Sequence, residues 1–270
     1  MKVAISYRGG VGDLLLAHLR EGSAAGRVQA LRREHPGAFV RLAIMPTVAD
    51  AVGLFAGAPE VDELVYRPWD GSGSAFEGAA CAGFFRMPEG LAWERPQIPL
   101  SPDEAEQAEA LEAGEGFVVL HPFAGTDDRD WRGKLEAAAV ARAIVAAGWR
   151  VVVLGGSTIR REGRGEVREV SRPELAAFEI PGVVNLVDRA SLRLQAHLAT
   201  RARRFVGAFS SFHCAALACG VPAYLVAPAA LRAFFEGEHP VYGRLADRAD
   251  SVIDYFGEER IAEEVAEWIA

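Results

Sequence analysis

A short apolar run that leads through a small-residue loop into an Ala-rich segment is the feature that most constrains this fold. It occupies residues 117–134, FVVLHPFAGTDDRDWRGK. The run Phe117–Leu120 is too short for a helix and is rich in β-branched and aromatic residues, which predicts a buried strand. A helix is predicted from Leu135 to Ala147, ended by Gly148. Such a unit aims backbone N–H groups and the positive end of a helix dipole at the top of a sheet, which favours an anion site.

The same alternation of strand and helix occurs on both sides of this stretch. Before it, the pattern predicts strands at Val3–Tyr7, Phe39–Met45 and Val61–Tyr66. A first helix is predicted from Leu14, weakened at Gly22–Gly26 and resuming through Leu31, and a second from Thr47 to Phe55, followed by a long loop at Pro68–Gly90. After it, strands are predicted at Arg150–Leu154, Val183–Val187, Phe205–Ala208 and Pro222–Val226, with helices at Ser191–Ala202, Ser211–Cys219 and Glu258–Ala270. Alternating β and α elements imply parallel sheets with right-handed crossovers. The predicted class is α/β, with two Rossmann-like domains whose parallel sheets carry flanking helices.

A strong helix start separates the two predicted domains. Ser101, Pro102 and Glu104 supply a serine cap, a proline in the first turn and a capping-box glutamate. The predicted organisation is an N-terminal domain at 1–100, a helix and linker at 101–116, a C-terminal domain at 117–256 and a C-terminal helix at 257–270. Residues 160–170 are predicted to form an exposed charged helix or loop. Two sheets in tandem favour a ligand site in the cleft between the domains.

Charge and cysteine content restrict the class of partner. A net charge of -8 argues against nucleic acid, because phosphate-backbone binding needs a basic surface. The three cysteines, Cys81, Cys214 and Cys219, have no metal-ligand spacing and are typical of reduced thiols in a cytoplasmic protein. No apolar run approaches the ~18 residues of a membrane span, although peripheral membrane contact stays open.

Five short motifs occur in an order and at spacings that match those of one known protein family. They are GVGDLL at 10–15, LHP at 120–122 with DDRDW at 127–131, VLGG at 153–156, NL at 185–186 with SL at 191–192, and RFVGAFSSFHCAALACGVP at 204–222. Together they resemble glycosyltransferase family 9, the heptosyltransferase-like enzymes with the GT-B fold. The family pattern carries Asp, Ser or Thr, and Gly where this chain has Ala208, Phe209 and Ser210, and Lys is usual at Arg129.

The resemblance implies transfer of a sugar, a heptose or a related one, from a nucleoside-diphosphate sugar to a hydroxyl of a glycan or lipid-linked acceptor, with inversion. The C-terminal domain would bind the donor and the N-terminal domain the acceptor. The nucleotide-sugar is a substrate in this reaction, and neither a cofactor nor a metal is expected.

Asp13 is the candidate general base. Inverting transfer is one displacement at the anomeric carbon, so the acceptor hydroxyl needs a carboxylate within hydrogen-bond reach. Gly10 and Gly12 form the acceptor-side turn, where they let substrate approach the backbone. The alternative role of Asp13 is a plain helix cap, which aspartate favours in any case.

The candidate donor-phosphate residues are Thr126, Arg129, Ser210, Ser211 and His213. A guanidinium fork suits phosphate, and hydroxyls at a helix N-terminus hold a leaving phosphate. The alternatives are an Arg129 paired with its acidic neighbours, a Ser211 that only caps its helix, and a His213 that is a hydrogen-bonded core residue. Glu162 or Glu166 would contact a ribose or belong to a solvated charge run.

Other functions also stay open at this point. A non-catalytic GT-B relative is favoured by the missing aspartate at Ala208, and a sugar-nucleotide epimerase is compatible with the same fold. A dinucleotide oxidoreductase is disfavoured for two reasons. The third glycine of the G-x-G-x-x-G fingerprint would fall at Leu15, and the second predicted strand does not end in an acidic residue that could bind a ribose.

Overall fold

The fold is given by a computed structural model of the 270-residue chain. It describes residues 2–9, 24–46, 55, 57–66, 85–86, 98, 100–114, 116–124, 131, 136–161, 166–232, 250–255 and 260–270. The chain divides into two compact units. The first comprises Met1–Pro99 with Ile159–Val167, and the second comprises Leu100–Thr158 with Arg168–Ala270.

The first unit holds a four-stranded parallel sheet in the order β3-β2-β1-β4. Its elements are β1 Lys2–Gly9, α1 Ala24–Glu34, β2 Phe39–Pro46, β3 Glu63–Tyr66 and β4 Phe85–Arg86. The three predicted strands are confirmed. The prediction of an unbroken loop over residues 68–90 is wrong at β4, because a two-residue strand is too short to produce a periodic pattern. The predicted helix start at Leu14 and the predicted cap at Thr47 lie outside the described residues, whereas α1 confirms the predicted continuation of the first helix through Leu31.

The second unit holds a separate six-stranded parallel sheet in the order β12-β11-β10-β5-β6-β9. Its strands are β5 Val118–His121, β6 Val151–Val153, β9 Val183–Asn185, β10 Arg204–Ala208, β11 Ala223–Ala227 and β12 Val252–Tyr255. All residues of β5, β6 and β11 are buried, as expected for strands covered on both faces. The prediction of two separate parallel sheets is confirmed, and β12 is an element that the sequence pattern did not predict.

Helices cover this second sheet. They are α2 Pro102–Glu112, α3 Ala137–Ala146, α4 Arg172–Ala176, α5 Leu192–Arg201, α6 Ser211–Ala218 and α7 Ile261–Ile269. The capping box predicted at Ser101 and Glu104 is formed, and Ser191 caps α5. The short helix α4 was not predicted, although Ser171 and Glu174 form the same capping box. None of the helices in the described ranges is long and apolar enough to cross a membrane.

Two short strands, β7 Thr158–Arg161 and β8 Glu166–Glu169, form a two-stranded sheet. The prediction of an exposed helix or loop over residues 160–170 is therefore wrong at 160–161 and 166–169, while residues 162–165 lie outside the described part of the chain. The sequence pattern did not indicate these strands, because Ile159 and Val167 are isolated apolar positions among arginines and glutamates.

Helix α2 is joined to α5 by a partly buried ion pair. The Arg193 Nη2 lies 2.7 Å from the Glu104 Oε2, and the two side chains are only 16% and 12% exposed. The Ser191 hydroxyl and the Ser101 N–H donate to the same carboxylate. Burial alone would raise the pKa of Glu104, but the hydrogen bonds from Ser191, Ser101 and Arg193 outweigh it and lower the pKa to about 2. Whether residues 101–116 also act as a linker stays a prediction.

Glu104→Gln should destabilise the protein in a pH-dependent way. Glutamine keeps the capping-box geometry but loses the charge that Arg193 and Ser191 stabilise. The lowered pKa means that the stabilisation is complete above the unfolded value of 4.5 and is lost as the pH falls toward 2. We expect the variant to lose about 1.5–3 kcal/mol at neutral pH, measured by denaturant unfolding, and the difference from wild type to shrink in acid.

The matched control is Glu106→Gln, an exposed glutamate on the same helix. It should change the free energy of unfolding by only a few tenths of a kcal/mol. An equal effect of both substitutions at every pH would contradict the role assigned to the Glu104–Arg193 pair.

Candidate functional site

The order of the six-stranded sheet contains one reversal, between β5 and β10. From β5 the chain adds β6 and then β9 on one side, and afterwards β10, β11 and β12 on the other. In open parallel sheets, ligands bind outside the carboxyl ends of the strands at such a switch point, because the two following loops diverge there and leave a crevice. The candidate site is therefore the end of β5 at His121 together with the end of β10 at Ala208.

Gly207 lets these two strands approach each other closely. It lies opposite His121 in the parallel register. A Cβ built on Gly207 would be 2.5 Å from the His121 carbonyl oxygen and 3.0 Å from the Phe205 ring. Because a backbone carbonyl cannot rotate away as a side chain can, this position requires glycine.

A hydrogen bond joins the two ends of the switch point. The Ser210 hydroxyl lies 3.0 Å from the His121 Nδ1 and also accepts the His213 N–H at 3.3 Å. The second bond makes Ser210 the N-cap of α6. The alternative that Ser211 is the cap is thereby wrong, since Ser211 is the first helical residue. His121 was not singled out from the sequence, where it was one letter of a motif and its partner lay 89 residues away.

Aromatic rings surround the imidazole groups of this site. The His121 ring packs edge-on against Phe212 with centroids 4.9 Å apart. The His213 ring lies between those of Phe205 and Phe209, at 5.9 and 6.0 Å. Rings in these positions lower the local dielectric constant and so strengthen any charge interaction made nearby.

His213 is a buried histidine whose imidazole is neutral. It is 2% exposed. Burial, with a smaller contribution from the charge of His121, lowers the pKa of His213 to about 3. Its Nδ1 is buried and has no hydrogen-bond partner among the described residues. The alternative of a core histidine is thus confirmed in burial, whereas the Nδ1 is not hydrogen-bonded within the described residues.

Ser210, Ser211 and His213 are all contributed by the first turn of α6. The first four N–H groups of a helix have no partner within the helix, and here the Ser210 hydroxyl takes only the one at His213. The remaining N–H groups and the helix dipole suit an anion. That these residues bind phosphate stays a prediction.

The end of β10 is apolar where the resemblance would require an acid. Ala208 is fully buried and Phe209 is 7% exposed. Phe209 packs in a cluster with Leu225, Ala227, Leu231 and Ile253. Ala208 itself belongs to the main apolar core of this unit, where a carboxylate would have to be desolvated, which is unfavourable without a charged partner.

The loop after β6 is held by side chains from the β9–α5 region. The Gly155 N–H donates to the buried Gln195 Oε1 at 2.7 Å, and the Ser157 N–H donates to the Asp188 Oδ1 at 2.8 Å. Gly155 has a φ of +143°, and a Cβ there would be 2.7 Å from the Phe123 ring. Sequence reasoning did not single out Gln195 or Asp188. A glutamine amid the buried positions of α5 was the only available signal.

Several predicted site residues lie outside the described part of the chain. They are Asp13, Gly10, Gly12, Thr126, Arg129 and Glu162, and the side chain of Glu166 also belongs to this group. Chain position alone locates them: Asp13 follows the end of β1 by four residues, and Thr126 follows the described residue Ala124 by two. Within the described ranges, no group of three or more histidine, cysteine or acidic side chains is placed to hold a metal ion.

Solved structures with the same architecture span nearly the whole chain. The E. coli ADP-heptose LPS heptosyltransferase II superposes with a TM-score of 0.59 at 16% identity, covering 100% of this chain and 97% of that one. A glycosyl transferase family 9 protein from Veillonella parvula superposes with a TM-score of 0.53 at 11% identity, covering 94% and 85%.

The chain has the heptosyltransferase fold. E. coli heptosyltransferase WaaC, solved with ADP, agrees as well, with a TM-score of 0.51 at 11% identity over 100% of this chain and 97% of that one. No protein-family model matches the sequence, and neither does any curated protein. The predicted resemblance to glycosyltransferase family 9 is confirmed at the level of the GT-B fold.

Proposed function

We propose that the chain is an inverting glycosyltransferase that moves a sugar, a heptose or a related one, from a nucleoside-diphosphate donor to a hydroxyl of a glycan or lipid-linked acceptor. The observation that carries the proposal is the switch point between β5 and β10, where Ser210 bridges His121 and the first turn of α6. The whole-length likeness to heptosyltransferases supports the same chemistry. Cys219 is a buried free thiol, which suits the cytoplasm as the compartment of action.

In this mechanism the second unit binds the donor and stabilises its departing diphosphate. Negative charge grows on the leaving phosphate as the glycosidic bond breaks. N–H groups of the first turn of α6, the hydroxyls of Ser210 and Ser211, and the Thr126 and Arg129 side chains would stabilise it. Because the helix dipole and the Ser210 hydroxyl are already held in place by α6, they need no reorganisation at the transition state.

Asp13 completes the mechanism as the general base of the first unit. It would accept the proton of the acceptor hydroxyl while that oxygen attacks the anomeric carbon from the face opposite the diphosphate. One displacement inverts the configuration, so no covalent sugar–enzyme intermediate forms. Gly10 and Gly12 would leave the backbone of this turn open to the acceptor.

Calorimetric titration with ADP, UDP, GDP and NAD tests the donor class. ADP is the first probe, since WaaC was solved with ADP. We expect one nucleoside diphosphate to bind with clear preference and NAD to bind weakly or not at all. Tight binding of NAD alone would instead support the oxidoreductase alternative.

Arg129→Ala should weaken binding of the preferred nucleoside diphosphate by at least about tenfold, since a hydrogen bond to a charged group contributes roughly 1.5–3 kcal/mol. The matched control is Arg142→Ala, which removes an exposed arginine of α3 that pairs with Glu136. The control should bind like wild type. Unchanged affinity in a folded Arg129→Ala protein would exclude this guanidinium as the phosphate anchor.

A non-catalytic relative is the second candidate, and the buried Ala208 and Phe209 favour it. A chain that cannot transfer sugar from a donor, because the acid at the end of β10 is missing, could still bind nucleotides or could have lost that affinity as well. Assays of transfer and hydrolysis with a panel of nucleotide-sugars separate the two candidates. Nucleotide binding without any turnover of donor would favour the non-catalytic protein.

A further inference from the structure

Asp188 adopts a backbone conformation that is rare for its residue type. Its φ is 57°, and it is the one non-glycine residue with positive φ in the described ranges. Aspartate tolerates the left-handed region better than most residues, but the conformation still costs free energy and persists only where surrounding contacts hold it. A backbone outlier at an exposed residue is a reason to look for a functional role of its side chain.

The contacts that hold Asp188 also aim its carboxylate at the loop after β6. Its Oδ1 accepts the Ser157 N–H at 2.8 Å, and the Ser157 carbonyl accepts the Val170 N–H at 2.7 Å. The same loop is held two residues earlier by the Gln195 side chain at Gly155. The carboxylate of Asp188 is thereby positioned at the carboxyl edge of the sheet, next to the strand that borders the switch strand β5.

The second oxygen of this carboxylate remains available for a ligand. Asp188 is exposed, and its Oδ2 has no hydrogen-bond partner within the described part of the chain. A carboxylate accepts about four hydrogen bonds, so the bond from Ser157 leaves most of its capacity unused. Gly156 places no side chain beside it, and a Cβ there would still be 3.9 Å from the Asp188 Oδ1.

In Rossmann sheets that bind dinucleotides, an Asp or Glu about 20 residues after the glycine fingerprint accepts a hydrogen bond from the ribose 2′-OH. The segment after β6 here is Leu154, Gly155, Gly156 and Ser157, which contains no acid. Asp188 comes from the loop after the next strand, β9, and its side chain reaches that segment. The Asp188 carboxylate therefore lies at the carboxyl edge of the sheet, where nucleotides bind in open parallel sheets, although it comes from a different loop.

We propose that Asp188 accepts hydrogen bonds from the ribose hydroxyls of the donor, so that the site selects ribonucleoside diphosphates over their 2′-deoxy forms. This assignment rests on the proposed function, because it needs a nucleotide at the switch point. It adds a specificity-determining residue that acts on the sugar of the nucleotide rather than on its phosphates.

The test compares ADP, UDP and GDP with their 2′-deoxy forms by calorimetric titration of the whole chain. Wild type should bind the ribonucleotide about tenfold or more tightly than the deoxynucleotide, the difference expected for one hydrogen bond to a charged acceptor. Asp188→Gly fits a φ of 57° without strain and removes the carboxylate, so its ratio of affinities should approach one. Asp188→Asn keeps the bond to Ser157 and should give an intermediate ratio.

The ratio distinguishes ribose recognition from a purely structural role. A substitution that only loosened the loop would weaken ribonucleotide and deoxynucleotide equally and leave the ratio unchanged, which would overturn the proposal. Glu179→Gln, an exposed acid before the amino end of β9, is the matched control and should keep the wild-type ratio. The preference for the ribonucleotide could instead disappear in Glu162→Gln or Glu166→Gln and persist in the Asp188 variants. That result would also overturn the proposal, because it would assign the ribose contact to the β7–β8 segment.

The two proposals fail in different ways. Binding of a ribonucleoside diphosphate with no preference over its deoxy form would overturn the role of Asp188 and leave the glycosyltransferase proposal intact. Absence of binding to every nucleotide would overturn both at once.

Discussion

Asp13→Asn is expected to lower the turnover of sugar transfer by about 10²–10⁴-fold. Asparagine has nearly the same size and caps a helix almost as well as aspartate, but it cannot accept the proton of the acceptor hydroxyl. Nucleotide affinity should stay at the wild-type value, because the proposed donor site lies in the second unit. Steady-state assays of transfer, together with calorimetric titration, measure both quantities on the same protein.

The control for this substitution is Glu34→Gln, which neutralises an exposed acid of α1 in the same unit. It should leave both rate and affinity unchanged. If Asp13 only caps a helix, Asp13→Asn should resemble this control in rate and in stability. A fall in nucleotide affinity equal to the fall in rate would point instead to a folding defect.

Gly207→Ala is expected to cause the largest loss of stability among the substitutions considered. The added methyl group would lie 2.5 Å from the His121 carbonyl oxygen, so β5 and β10 would have to separate at the centre of the sheet. Overpacking of a core commonly costs 1–3 kcal/mol, and a backbone contact that cannot rotate away places this case at about 3 kcal/mol. The midpoint of thermal unfolding should fall by roughly 10 °C.

The same substitution should also weaken nucleotide binding, because the His121–Ser210 bond lies at the ends of the two displaced strands. Gly37→Ala is the matched control: it lies in an exposed turn of the first unit, with no atom within 4 Å of the added Cβ. It should leave the unfolding midpoint within a degree or two. A wild-type midpoint for Gly207→Ala would show that the strands can separate without loss.

Most regular elements of the fold were predictable because their residues carry the information locally. The apolar run at 117–120 and the capping box at Ser101 depend on neighbours within a few positions, and both formed as predicted. The elements that were missed lack such signals. Strands β7 and β8 are short and charged, while β4 has only two residues and is defined by its pairing with β1.

The candidate site was predictable in part. Ser210, Ser211 and His213 lie together because one helix start contributes all three, so their proximity followed from the sequence. Whether they bind phosphate, and whether Thr126 and Arg129 join them, remains to be tested. His121 and Asp188 were missed because each acts through a partner distant in sequence, 89 residues away for His121 and 31 for Asp188.

The sequence by itself determined the α/β class, the division into two sheets and the starts of α2, α5 and α6. Hydrophobic period and capping chemistry are local, so they act before any long-range contact forms. Only the tertiary structure decided that β10 lies beside β5, that Gly207 must be glycine for them to meet, and that the Asp188 carboxylate reaches the loop after β6. Strand order depends on which crossovers bury the most apolar surface in the complete sheet, and no short stretch of sequence encodes that comparison.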